Sequence, residues 1–240
     1  MPLAPVEPQR LYRQIAEQLR ALMSGGEFEP GSRLPAERDL AKHLGVSRPS
    51  VREALIALEV EGWVEVRTGS GVYVLDRASR ANGNGNGTKV PAAEWGPLEL
   101  IRARRVIEGE IASLAATKAR RRHIQAIREA IDMMQEATDR GVLPLDGDRA
   151  FHTAVAQACD NVVLLETVQT FWDARRGPLF ERLGDYFETA PAWRMAIAEH
   201  ELILEAIRGH DGPAARAAMQ AHMDKSHARF SASWRRANSS

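Results

Sequence analysis

Residues 34–55 read LPAERDLAKHLGVSRPSVREAL, and this stretch decides the first half of the fold. After Pro35, the apolar residues Leu40, Ala41 and Leu44 recur at helical spacing, and Gly45 stops the run. A second helix begins at Ser47, a good N-cap, and tolerates Pro49 in its first turn. It carries Val51, Ala54, Leu55 and Leu58 inward, and Gly62 closes it. Two helices joined by a tight glycine turn make a helix-turn-helix, whose second helix enters the DNA major groove N-terminus first. On that leading turn Arg48 and Arg52 lie four apart and are expected to point the same way. Arginine bonds bidentately to guanine O6 and N7, for about 1–3 kcal/mol of discrimination. Ser47 and Ser50 are short enough to let the helix approach and donate to phosphate oxygens.

The flanks complete the module. Upstream, LYRQIAEQLRALMSGG (residues 11–26) places Leu11, Ile15, Leu19 and Leu22 on one helical face before two glycines end it. Downstream, WVEVRTGSGVYVL (residues 63–75) alternates apolar and polar positions on either side of Thr68-Gly69-Ser70-Gly71, which predicts a β-hairpin. Its tip would be a wing lying along the DNA backbone or minor groove. The chain carries 32 basic and 32 acidic residues, which argues against a generic polyanion binder. The positive charge is local: residues 33–52 hold five Lys/Arg against two Asp/Glu.

The composition breaks once. RASRANGNGNGTKVPAAEW (residues 77–95) holds three Asn-Gly pairs and a proline, and reads as a flexible linker. It separates a winged helix-turn-helix over 8–76 from a region over 96–236 that shows helical periodicity throughout. Helices are predicted at about 97–119, 121–140, 146–158, 161–187, 191–209 and 212–236, so the expected fold is mainly α, ending in an all-α antiparallel bundle. No apolar run approaches the roughly 18 residues of a membrane span. MPLAPVEPQR lacks the order of a signal peptide, so a cytoplasmic location is expected. The single cysteine, Cys159, reads as a small core residue without a basic neighbour to activate it.

The second constellation lies in the helical region. LDGDRAFHTAVAQA sets Asp148 and His152 four apart on one helix face, while His200 and His222 stand among apolar neighbours on later helices. Helical bundles build metal sites in this way, from side chains on facing helices. Three imidazoles and one carboxylate suit a divalent ion such as Zn, Ni, Fe or Mn, and the absence of thiolates argues against a soft-ligand site. His43, His123, His210 and His227 sit in polar or turn contexts and are left aside.

Residues 8–75 resemble the winged helix-turn-helix of GntR-family bacterial transcription regulators. The motifs that carry the resemblance are L-P-x-E-R-x-L, then G-V-S-R-x-x-V-R-E-A-L, then G-x-G-x-x-V. The resemblance implies a homodimer on double-stranded DNA bearing a palindromic operator. It also implies that Arg38, Ser47, Arg48, Ser50 and Arg52, with Thr68 and Gly69 of the wing, carry most DNA contacts; Arg38 rests on the resemblance alone. The second half is similar to the ligand-binding helical domain (FCD) of the FadR-type branch, in which a D-x-x-x-H and two later histidines hold a divalent metal. Those positions match Asp148, His152, His200 and His222. The same domain carries R-x-x-[IL]-E, here Arg104 to Glu108, which implies that Arg104 greets a carboxylate effector at the metal. Spacing alone allows Arg104 an i,i+4 salt bridge with Glu108 instead. FWDARRGPLFERL (residues 171–183) resembles, loosely, regulators that respond to hexuronates; the other reading buries Phe171 and Trp172 and turns Arg175 and Arg176 outward.

The expected function is therefore a non-enzymatic transcription regulator, a repressor, controlled by a small carboxylate such as a sugar acid. Two alternatives remain: a sensor of the metal itself, or a metal-dependent enzyme with a DNA-binding appendage.

Overall fold

Local signals set the first elements. The computed structural model describes residues 10–76 and 94–231. α1 (Leu11–Ser24) ends at Gly25, α2 (Glu37–Leu44) ends at Gly45, and α3 (Arg48–Val60) starts where the Ser47 hydroxyl accepts from the Ser50 amide. Gly45 holds φ +67, a left-handed conformation that favours glycine. The stripe that α1 buries is Tyr12, Ile15, Ala16, Leu19 and Met23, while Leu11 and Leu22 stay 47% and 44% exposed. The expected face is thus rotated by about one residue, because the i, i+3/i+4, i+7 period through Tyr12 and Met23 also buries an aromatic and a thioether side chain. β1 (Val64–Arg67) and β2 (Gly71–Val74) pair antiparallel with Val64 opposite Val74. Val64, Val66, Val72 and Val74 face the core, as period-2 alternation requires. Gly71 likewise holds a positive φ, +136, which L side chains rarely adopt, and a Cβ there would also meet Nε of Arg33 at 2.4 Å.

The remaining helices are α4 (Pro97–Lys118), α5 (Arg121–Asp139), α6 (Leu145–Ala158), α7 (Val162–Ala174), α8 (Pro178–Phe187), α9 (Ala190–Arg208) and α10 (Gly212–Phe230). The predicted helix over 161–187 is two helices, since Pro178 has no N–H to continue the ladder and instead opens α8. Asn161, Thr189 and Asp211 cap α7, α9 and α10 through their side-chain oxygens. α5 packs on α6 and α9, α6 on α7, and α9 on α10. Gly147 lets α5 and α6 approach closely, for a Cβ there would meet Met134 and the Ala130 carbonyl at 2.7–3.1 Å.

Among the described residues the chain forms two compact units, one running to Pro97 and including Gly177–Leu183, the other comprising Leu98–Arg176 and the described chain from Gly184 onward. Most of the predicted linker lies outside the described residues. Of its last two residues, Glu94 accepts from the Tyr12 hydroxyl through its carbonyl and from the Leu179 amide through its carboxylate. Among the described residues no helix is long and apolar enough to cross a membrane.

Candidate functional site

The second unit brings together the four residues that spacing singled out. Asp148 and His152 come from α6, His200 from α9 and His222 from α10; all are at most 5% exposed. One ligand atom from each lies within 4.8 Å of the others. Nε2 of His200 is 3.2 Å from Asp148 Oδ1, and Nε2 of His152 is 3.5 Å from the same oxygen. Donors around a tetrahedral ion with bonds of about 2.1 Å stand about 3.4 Å apart. The spacing therefore suits such an ion, and Asp148 Oδ1 and His200 Nε2 are buried without a hydrogen-bond partner. The position of Asp148 in the first turn of α6 adds the favourable end of the helix dipole.

Two carboxylates back the histidines, and spacing had not revealed their role. Nδ1 of His222 donates to Glu199 Oε2 at 2.8 Å, and Nδ1 of His152 lies against Glu108. A proton on Nδ1 leaves Nε2 as the lone-pair nitrogen, turned toward Asp148 in His152. Burial tends to raise the Glu108 carboxyl, but Arg104 and His152 outweigh it and hold its pKa at about 2. Glu199 is likewise held at about 2, against burial, by His222 and Arg229. Burial pushes His222 down to about 3, with the neighbouring His200 acting the same way, so it is neutral. Burial also lowers His200. His152 moves the other way: burial opposes its proton, but Glu108 overrides it.

Arg104 makes the i,i+4 ion pair with Glu108 that spacing allowed. Its Nε donates to Glu108 at 2.5 Å, while its Nη2 is buried with no partner. Its guanidinium sits 4.8 Å from the Trp172 ring centroid, and that of Arg175 sits 4.6 Å from the same ring. Phe171 and Trp172 are buried as expected, but Arg175 turns inward rather than out. It donates to Asp148 Oδ2 at 3.0 Å and to Glu188 Oε1 at 2.9 Å. The pull is electrostatic: two carboxylates lie on that side. Arg104, Asp148, Arg175 and Glu188 line a cavity of about 40 Å³ together with Phe187, Trp193 and Phe230.

In the first unit a groove of about 370 Å³ runs between α3 and the hairpin. Arg38, Arg48 and Gly69 line it, together with Arg33 and Arg67, which the sequence reading missed because neither falls in the helix-turn-helix core. Arg38 and Arg48 are 82% and 52% exposed at the side chain. Ser47 is exposed at the tip of α3 and shares a 2.8 Å hydrogen bond with Ser50; Thr68 is half-buried at the hairpin turn. Arg52 departs from the expectation. Its side chain is 1% exposed and donates to both oxygens of Glu37 at 2.8–3.0 Å. The shared Glu37 also receives Arg48 Nε at 2.9 Å, so one carboxylate ties α2 to the leading turn of α3.

A winged helix-turn-helix head and an all-α unit with a buried His/Asp centre define a two-part DNA-binding regulator. The chain belongs to the GntR family of bacterial regulatory proteins: residues 11–74 match the model described as "Bacterial regulatory proteins, gntR family", and residues 99–225 match the FCD domain. It is 36% identical to the Uxu operon transcriptional regulator of Escherichia coli K12 over 219 residues, covering 90% of this chain and 85% of that protein. It is 36% identical to the Exu regulon transcriptional regulator of the same strain, covering 91% and 83%. HTH-type transcriptional regulator LutR of Bacillus subtilis 168 is 30% identical, covering 84% and 93%. Among solved structures, E. coli McbR/YncC shares the fold, with a TM-score of 0.51 at 23% identity over 92% of this chain and 97% of that one. These relatives are regulators, and the chain is not an enzyme.

Proposed function

We propose that this regulator is a homodimeric repressor whose affinity for a palindromic operator is set by a small carboxylate, of the sugar-acid type, bound beside a divalent metal. The observation that carries the reading is the convergence of Asp148, His152, His200 and His222 next to Arg104 and Arg175. Zinc, nickel, manganese or iron bound there would supply a Lewis-acidic centre for a carboxylate. Arg104 offers it an unpartnered buried Nη2, and Arg175 offers a second guanidinium. The DNA face is assigned to Arg38, Ser47, Arg48 and Ser50 with Thr68 and Gly69, and Arg52 acts on it through Glu37.

A second reading makes the ion itself the effector. The cavity favours it, because about 40 Å³ holds on the order of one to three waters rather than an organic acid. One experiment separates the two. A ligand of the folded state raises its apparent stability by mass action. Small carboxylates, hexuronates among them, are expected to raise the melting temperature of the zinc-loaded protein, and chelation or His152→Ala is expected to abolish the shift. Stabilisation by zinc with no response to any acid would favour the metal sensor. An acid shift that survives chelation would remove the metal from the sensing site.

A further inference from the structure

The cavity beside the His/Asp centre already holds a carboxylate supplied by the chain. Glu188 stands in the two-residue joint between α8 and α9, and its side chain is 11% exposed. Its Oε1 accepts from Arg175 Nη2 at 2.9 Å, while Arg175 Nη1 reaches Asp148 Oδ2 at 3.0 Å. The second oxygen, Oε2, would stand 3.3 Å from a Cβ at position 184, so Gly184 leaves room for the carboxylate to lie against its helix.

The two carboxylates on Arg175 are not equally held. Asp148 also faces Nε2 of His152 and of His200. Among the described residues Arg175 is the sole side-chain partner of the Glu188 carboxylate. Burial disfavours the charge on Glu188 and Asp148 adds like-charge repulsion, with Arg175 opposing both. Glu188 is thus the weaker-held of the two. It is also the one that stands outside the helices, just past the end of α8, where its amide donates to the Gly184 carbonyl.

We propose that Glu188 stands in for the effector's carboxylate on Arg175, and that an incoming acid binds by displacing it. Exchange of one carboxylate for another on a single guanidinium preserves the charge balance of the cavity. Outward movement of Glu188 also enlarges a space too small for an organic acid. The proposal rests on the carboxylate-effector reading above.

A binding-competent state populated only when Glu188 swings away weakens the apparent affinity by that population. Removing the competitor restores it. The test is calorimetric titration of zinc-loaded protein with glucuronate, using glucuronamide as a control of nearly equal shape without the charge. Glu188→Gln is expected to bind glucuronate about 10-fold more tightly than the natural chain. Its zinc affinity should be unchanged, and glucuronamide should bind neither protein. Glu188→Ala should shift in the same direction, which covers a failure of the glutamine variant to fold. Equal or weaker binding by both variants, with the natural chain binding normally, would overturn the proposal and leave the effector reading standing. Equal binding of acid and amide would overturn it as well. If no protein of the set binds glucuronate or any smaller carboxylate down to formate, the effector reading falls and this proposal falls with it.

Discussion

At the scale of single residues, Glu199 and Glu108 matter as much as the histidines they support. Each carboxylate sits at the Nδ1 side of a candidate ligand, Glu199 at His222 and Glu108 at His152. Loss of such a partner leaves the ring free to rotate and to take the wrong tautomer. Glu199→Gln is therefore expected to weaken zinc binding by about 10–100-fold, measured by competition with a chromophoric chelator. An unchanged affinity would make Glu199 a partner of Arg229 only. The same groups set a pH dependence in the metal-free protein. The Glu108 and Glu199 carboxyls have folded pKa values of about 2 against an ordinary 4.5. A depressed carboxyl stabilises the fold above its unfolded value and loses that contribution as pH falls toward the folded one. His222, held neutral down to about 3 against an ordinary 6.5, also costs stability as pH falls; His152, whose pKa is raised, works against that loss. Urea midpoints should thus drop as pH is lowered from about 4.5 toward 2, and Glu199→Gln should flatten the slope.

At the scale of elements, α2 and α3 act as one rigid piece because Glu37 receives both Arg48 and Arg52. The two arginines then differ in what their removal does. Glu37→Ala removes a carboxylate partner from a guanidinium that is 1% exposed and should cost about 3–5 kcal/mol of stability, read by denaturant unfolding. Arg48→Ala removes a half-exposed side chain and should change stability by no more than about 0.5 kcal/mol. It should instead weaken operator binding and relax one base preference by about 1–3 kcal/mol in gel shifts at fixed salt. Operator affinity equal to that of the natural chain would take Arg48 out of the reading face. α3 itself was legible because its cap, its proline and its apolar positions all lie within one short stretch. The break between α7 and α8 went unread in the sequence: Gly177-Pro178 marks it, but the apolar periodicity on both sides conceals it.

At the scale of the whole molecule, two units with separate cores divide the work, and the neutral total charge conceals a basic stretch in one of them. The proposed homodimer, with two such heads, would convert the second DNA contact into an intramolecular event. DNA with both half-sites should therefore be bound about 10²–10⁴-fold more tightly than DNA with one, in titrations at constant salt. Equal affinities would argue for a monomeric reader.

The sequence alone determined whatever depends on near neighbours: the helix-turn-helix with its Ser47 cap, the hairpin alternation around Gly69 and Gly71, and the pairing of Asp148 with His152 on one face. Caps, turns and periodicity act over a few residues, so a short window contains their cause. Only the tertiary structure decided that His200 and His222 meet Asp148, that Glu199 supports His222, that Arg175 turns inward to Asp148 and Glu188, and that Arg52 is buried on Glu37. Those outcomes follow from how whole helices pack. A buried charge goes to whatever opposite charge the packing places within reach, and no local window records that distance.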